Sequence, residues 1–187
     1  LLDEAESPEV TRFLRAVDVR IDGFRVEKAP EWRGQRVFVR HEVDGKGYEL
    51  RLSEESAGTQ KLMGLAAYLM TALERGATVV VDELDAKLHP KLLRYVILLF
   101  KDPEVNKSGA QLIFSSQDVS TMRNDVFRRD EIWFAARGEG EASQLWSLAD
   151  IHEANGNLVS KNAAFDKQYL SGRYGADPYL TRIEEWD

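Results

Sequence analysis

Asp82 and Glu83 stand side by side at the end of the apolar, β-branched run Thr78-Val79-Val80-Val81. A run of that kind makes a buried strand, and two carboxylates at the C-terminal end of such a strand suit a particular chemistry. The first can hold the water shell of a magnesium ion, and the second can orient or deprotonate a water that attacks a γ-phosphate. This is the Walker B pattern of a nucleotide hydrolase. By themselves the two acids admit a plainer reading, in which they end a strand and cap the next turn. The usual companion, Gly-x-x-x-x-Gly-Lys-Ser/Thr, does not occur in the sequence. Gly45-Lys46 is followed by Gly47, lacks a glycine five residues earlier and reads as a turn.

Three further stretches bear on the acid pair. The first is Leu52-Ser53-Glu54-Glu55-Ser56-Ala57-Gly58-Thr59-Gln60-Lys61, a serine and glycine cluster that opens a helix. Hydroxyls and backbone N–H groups at a helix N-terminus form an anion site, which suits Ser56, Gly58 and Thr59 to a γ-phosphate. Alternatively Ser53 or Ser56 is an N-cap with a nearby Glu as capping-box partner. The second is Leu84-Asp85 with Leu88-His89-Pro90, at the mouth of the sheet where open α/β folds bind ligands; His89 reads as a helix-start contact rather than a base. The third is Gln111-Leu112-Ile113-Phe114, another apolar run, ending in Ser115-Ser116-Gln117-Asp118. Two parallel strands that both end in polar groups point to a shared site at that edge.

The elements that must position these residues follow from hydrophobic period. Leu62, Leu65, Ala66, Leu69, Met70 and Leu73 recur at helical spacing, and Gly76 sits where a helix stops. Residues 77–81 then form a strand, 90–100 a helix with Pro in its first turn, and 111–115 a strand. Strand, helix and strand in that order imply parallel pairing with a right-handed crossover. Upstream, residues 8–16 read as the end of a helix, and Val17, Val19 and Ile21 alternate as a half-buried strand. Strands at 23–28, 36–43 and 47–52 follow, the last two joined as a hairpin by Asp44-Gly45. Downstream, 131–136 and 143–148 read as strands around the polar turn Gly138-Glu139-Gly140-Glu141, with Trp133 and Phe134 in the core. Residues 153–161 read as a solvated loop. Tyr169, Arg173, Tyr174 and Asp177 read as local packing, with a reach toward the site or a partner as the alternative.

Composition bounds the remainder. At 187 residues and 43% apolar content, one domain with a sizeable core is expected. No run is long and apolar enough for a membrane span and no secretory leader is visible. The absence of cysteine excludes a disulfide framework and thiolate chemistry and fits a cytoplasmic protein. A net charge of -7 gives DNA binding no support, although Arg123, Arg128 and Arg129 form a local basic patch. The opening Leu1-Leu2-Asp3-Glu4, without methionine, suggests a chain that begins inside a larger protein.

The order of these pieces resembles the ATP-binding-cassette (ABC) type of ATPase. Within it the chain is similar to the bacterial subgroup near the overcoming-lysogenisation-defect and abortive-infection AAA-like ATPases. In that subgroup a Ser-x-Gly-Thr signature opens a helix, a strand carries Asp-Glu-Leu-Asp with Leu-His-Pro soon after, and the next strand ends in Thr-Thr-His-Asp. This chain has Ser56-Ala57-Gly58-Thr59, Asp82-Glu83-Leu84-Asp85, Leu88-His89-Pro90 and Ser115-Ser116-Gln117-Asp118, and the stretches 128–134 and 169–178 also look like the subgroup. The resemblance implies an α/β fold, part of an ABC-type P-loop ATPase domain with a mainly parallel sheet, flanking helices and an antiparallel flank. The whole chain would be the carboxy-terminal part of one such domain: 1–52 the antiparallel flank, 53–150 the signature, Walker B and switch region, 151–187 the tail.

By the same resemblance ATP would lie between two protomers, with Asp82 on magnesium through water, Glu83 as base and Gln117 near the γ-phosphate. Ser56, Gly58, Thr59 and Gln60 would contact the nucleotide held mainly by the other protomer, and Asp85, with His89, would belong to the dimer-facing loop. A homodimer or higher oligomer driven by ATP would control an effector protein in defence against phage. The family's switch histidine is Gln117 here, which can donate a hydrogen bond but cannot carry a proton in the same way. That departure keeps a second expectation in view, a non-hydrolysing nucleotide-sensing or scaffold module. An unrelated small β/α binding domain is the third. Without a P-loop, the chain alone is expected to be inactive.

Overall fold

The computed structural model describes residues 8–17, 21–28, 35–137 and 142–176. The chain divides into two compact units, Leu1–Gln117 and Asp118–Asp187.

The first unit opens with α1 (Pro8–Val17), whose Val10, Phe13 and Leu14 are buried at helical spacing. Its apolar face packs on α2 (Ala57–Arg75), and Phe13 stacks on Tyr95 of α3 (Pro90–Lys101) at 6.4 Å between centroids. Three antiparallel strands follow in the order β1 (Ile21–Lys28), β2 (Gln35–Val43) and β3 (Lys46–Arg51). The Asp44-Gly45 turn joins β2 to β3 as expected. Both of its residues adopt positive φ, 51° and 71°, the geometry that suits the twist of a two-residue hairpin.

Two expectations in this region need correction. Val17 closes α1 instead of starting a strand, because it extends the buried i, i+3, i+4 stripe of Val10, Phe13 and Leu14 by one turn. Residues 18–20, including Val19, lie outside the described residues. What reads as a strand around Ile21 and another from Gly23 is the single β1, which accommodates a register shift between Ile21 and Gly23 against β2.

The α/β part is built from α2, β4 (Thr78–Val81), α3 and β5 (Gln111–Phe114). β4 and β5 pair in parallel in the register Thr78↔Gln111 through Val81↔Phe114, as the strand, helix and strand order requires. Ala72, Leu73 and Ala110 form a small core with Met70, Val79, Leu99 and Phe100. Asn106 fastens the return loop: its side chain donates to Phe100 O and Ala110 O, both at 2.8 Å, and accepts from Ala110 N at 2.7 Å.

The expected burial of β4 holds on one face only. Val81 is 9% exposed, but Val80 is 73% exposed and its neighbour Ile113 57%. A parallel sheet normally has both faces covered, so a run that is apolar on both faces is only half satisfied by the described residues.

The second unit holds an antiparallel hairpin, β6 (Trp133–Arg137) and β7 (Ser143–Ser147), and a short helix α4 (Phe165–Leu170). Residues 138–141, the expected turn, lie outside the described residues. Phe134, Ile132, Leu148, Val159, Phe165 and Tyr174 form the core. Tyr169 stacks on Phe134 at 5.7 Å, and burial pushes the Tyr174 phenol up to about 12. Both tyrosines therefore pack locally; Asp177 lies outside the described residues.

Trp133 departs from expectation: it is 57% exposed. Strand alternation puts Phe134 inward, which turns its neighbour outward. Residues 153–161 are only partly solvated, since Val159 is buried and His152 pairs with Leu158. Among the described residues no helix is long and apolar enough to cross a membrane.

Gly76 joins α2 to β4 and so sets where the acid pair begins. It is left-handed, φ 69°, and a Cβ there would lie 2.3 Å from Ser108 O. Gly76→Ala is expected to lower unfolding free energy by about 1–3 kcal/mol, measured by urea titration. A variant as stable as wild type would contradict the close approach.

Candidate functional site

Because β4 and β5 end level with each other, the residues after them meet. Ser115 N donates to Val81 O at 3.1 Å, continuing the ladder by one step. The Ser115 Oγ then donates to Asp82 Oδ1 and accepts from Glu83 N at 2.7 Å, while Ser115 O accepts from Leu84 N at 3.0 Å. One serine thus ties four consecutive residues of the neighbouring strand end, Val81 to Leu84. The Asp82 and Glu83 side chains are exposed at this edge.

Beyond them the chain turns twice, with Ala86 N donating to Glu83 O at 3.0 Å and Leu88 N to Asp85 O at 2.9 Å. Glu83 and Lys87 adopt left-handed φ values of 48° and 64°, unusual for residues with a Cβ. Fully buried Leu84 anchors the turns. Asp85 accepts from Gln117 N at 3.3 Å through Oδ2, and its Oδ1 is buried with no hydrogen-bond partner among the described residues.

Ser56 is the N-cap of α2, its Oγ accepting from Thr59 N at 3.1 Å. The expected Glu partner is absent, because Thr59 occupies the capping-box position; its hydroxyl instead meets Ser56 Oγ at 2.8 Å. Ser53 lies in the short turn Leu52–Glu54. The two readings of Ser56, cap and phosphate contact, are compatible. An oxygen that accepts from a backbone N–H keeps a hydroxyl proton available to another acceptor. Gln60 turns back, its Nε2 donating to Glu55 O at 2.8 Å. Glu55 in turn meets His41 Nε2 at 2.7 Å, with the two side chains 8% and 14% exposed.

The helix that carries these residues rests on the loop after the acids. Lys61 Nζ donates to Glu83 O. A Cβ on Gly58 would come within 2.9 Å of Lys87 O, so only glycine allows α2 to sit this close. His89 caps α3, its Nδ1 accepting from Lys91 N at 3.1 Å. Ser56, Gly58, Thr59, Lys87 and His89 line a cavity of about 350 Å³ together with apolar residues that include Leu14 and Leu62.

The structure therefore gathers the expected residues into three neighbouring groups: Asp82 and Glu83 on Ser115, Asp85 with Gln117, and Ser56, Gly58 and Thr59 near His89. Gln60 faces its own chain. Ser115, Lys61 and the His41–Glu55 pair add contacts that sequence reading did not supply.

Among the described residues no group of three His, Cys, Asp or Glu side chains could hold a metal ion. Magnesium keeps several waters and takes one or two carboxylates together with substrate phosphates, so a single Asp82 carboxylate beside a serine hydroxyl fits that mode of binding. For ATP the fit is partial, since the sequence has no Gly-x-x-x-x-Gly-Lys-Ser/Thr.

A family profile described as "AAA domain, putative AbiEii toxin, Type IV TA system" matches residues 3–123, well over half of the chain. The chain belongs to this AAA-domain family. The matched span holds every residue of the three groups. Among solved structures, one described under the structural biochemistry of ATP-driven dimerization and DNA-stimulated activation of SMC ATPases superposes with a TM-score of 0.54 at 18% identity. The match covers 77% of this chain and 83% of that one. At that identity the likeness shows the fold: an α/β arrangement similar to an ABC-type ATPase. No curated protein matches the sequence.

Gly58→Ala in this AAA-domain protein should push the first turn of α2 off the loop after Glu83. The expected loss of stability is about 1–3 kcal/mol, read by urea unfolding. Unchanged stability would show that the helix does not rest on Lys87 O.

Proposed function

We propose that this chain is the carboxy-terminal part of an ABC-type ATPase and carries the metal, base and signature portions of its site. The observation that supports the reading best is the joint hold on Asp82 and Glu83. Two adjacent acids at a strand end are common, but here the next parallel strand fixes them through Ser115, and the Ser56-Ala57-Gly58-Thr59 helix leans on the same loop.

Asp82 would hold magnesium through its water shell, and the ion would supply neutralisation of charge developing on the phosphates. Glu83 would take the proton of the attacking water. Gln117, tied through its backbone to Asp85, would report on the γ-phosphate. Ser56, Gly58 and Thr59 would meet the nucleotide held mainly by a second copy, and ATP-driven pairing of copies would control an effector in phage defence. The phosphate cradle would come from strands outside this sequence. The bare Val80 and Ile113 face of β4 and β5 suits such a partner layer, and the isolated chain would be inactive.

A sensing module that binds without turnover draws support from Gln117, whose side chain cannot shuttle a proton. Hydrolysis assays of the intact protein separate the readings. Wild type should turn over ATP, and Glu83→Gln should lower kcat by about 10²-fold or more with nucleotide still bound. Equal rates for the two would remove Glu83 from the chemistry; tight binding with no turnover by wild type would favour the sensor.

A further inference from the structure

The Glu83 peptide is held from both sides by side chains of other elements. On its amide side, the N–H donates to Ser115 Oγ at 2.7 Å. On its carbonyl side, the oxygen accepts from Lys61 Nζ as well as from Ala86 N. Between these grips Glu83 has φ 48°, a conformation that costs a residue with a Cβ and persists only where its surroundings hold it. The same Ser115 hydroxyl donates to Asp82 Oδ1. Its proton is thereby directed at one acid and its lone pair at the backbone of the other. Alanine could do neither, whereas threonine could do both.

We propose that Ser115 and Lys61 are positioning residues for Glu83, clamping its peptide in the left-handed conformation that presents its carboxylate beside Asp82. This rests on the reading of Glu83 as the base. Neither residue touches the reacting atoms. Lys61, from α2 two residues beyond Thr59, acts through the Glu83 carbonyl; Ser115, from the end of β5, acts through the Glu83 amide while also holding Asp82. The arrangement also joins two parts of the site within one copy. A helix whose first turn addresses nucleotide carries, one turn on, the amine that holds the base's carbonyl. An engaged or disengaged α2 would therefore be felt at Glu83 without any contact between the Ser56 hydroxyl and the Glu83 carboxylate.

The test compares wild type, Ser115→Ala, Ser115→Thr and Lys61→Met in the intact protein. Amide hydrogen exchange is followed at Glu83, and kcat and KM are measured for ATP with magnesium. In Ser115→Ala, exchange at Glu83 should quicken by about tenfold or more, and kcat should fall by about tenfold or more with KM for ATP within about twofold. Ser115→Thr should restore both. Lys61→Met should lower kcat in the same direction while leaving exchange at Val81 unchanged, since that amide lies within the β4 ladder. Unchanged exchange in Ser115→Ala overturns the clamp, and quickened exchange with wild-type kcat overturns its role in positioning the base. A threonine variant no better than alanine means that the effect is one of packing and also overturns the proposal. If wild type hydrolyses nothing, the ATPase reading falls by itself, and the exchange comparison still decides whether the hydroxyl holds the Glu83 peptide.

Discussion

The parallel pairing of β4 with β5 is the constraint on which the remainder depends. Its register ends both strands at the same level, Val81 opposite Phe114, so the next residues of each chain segment must meet. Had the pairing slipped by one residue, every side chain would change face and the Ser115 hydroxyl would no longer fall between Asp82 and the Glu83 amide. What keeps the register is modest in size: the core of Ala72, Leu73 and Ala110 beneath the strands, the Asn106 bonds that close the return loop, and the Gly76 cap that starts β4. The chemistry-bearing loop is thus supported from below by packing and from the side by α2.

That support is one-sided. Val79 packs with the α2 and α3 residues of the small core and Val81 is buried, whereas Val80 and Ile113 are largely exposed. Exposed apolar residues on a parallel pair are costly, at roughly 25 cal/mol for each Å² left in water, and natural parallel sheets avoid it by carrying a second layer. The bare Val80 and Ile113 face is where a second layer would pack.

Much of this was legible in the sequence because the signals were local. The run Thr78-Val79-Val80-Val81 and the run Gln111-Leu112-Ile113-Phe114 are too short and too β-branched or aromatic to be anything but strands beside so regular a helix as α2, and Gly76 and Pro90 punctuate them. The Asp44-Gly45 hairpin announced itself through turn chemistry. Where local signals competed, reading failed: Val17 suits strand alternation and the helical stripe alike, and it closes α1. Trp133 next to Phe134 is equally ambiguous, since a strand must turn one of the two outward. The positions of the candidate site residues could be read as motifs, but their contacts could not. Ser115 and Asp82 are 33 residues apart, Lys61 and Glu83 22, and His41 and Glu55 14. Nothing in residue type alone pairs them. A hydroxyl at the end of the second apolar strand, one place beyond Phe114, was the one available hint.

On the proposed function, Asp82 and Glu83 would act on a nucleotide shared between two copies of the protein. Light-scattering mass of the intact Glu83→Gln protein, with and without ATP and magnesium, tests it most directly, because loss of the base should trap the state that ATP creates. The mass should about double when ATP is added and return to its starting value when ADP replaces it. A mass that ATP leaves unchanged, with nucleotide bound, would contradict it.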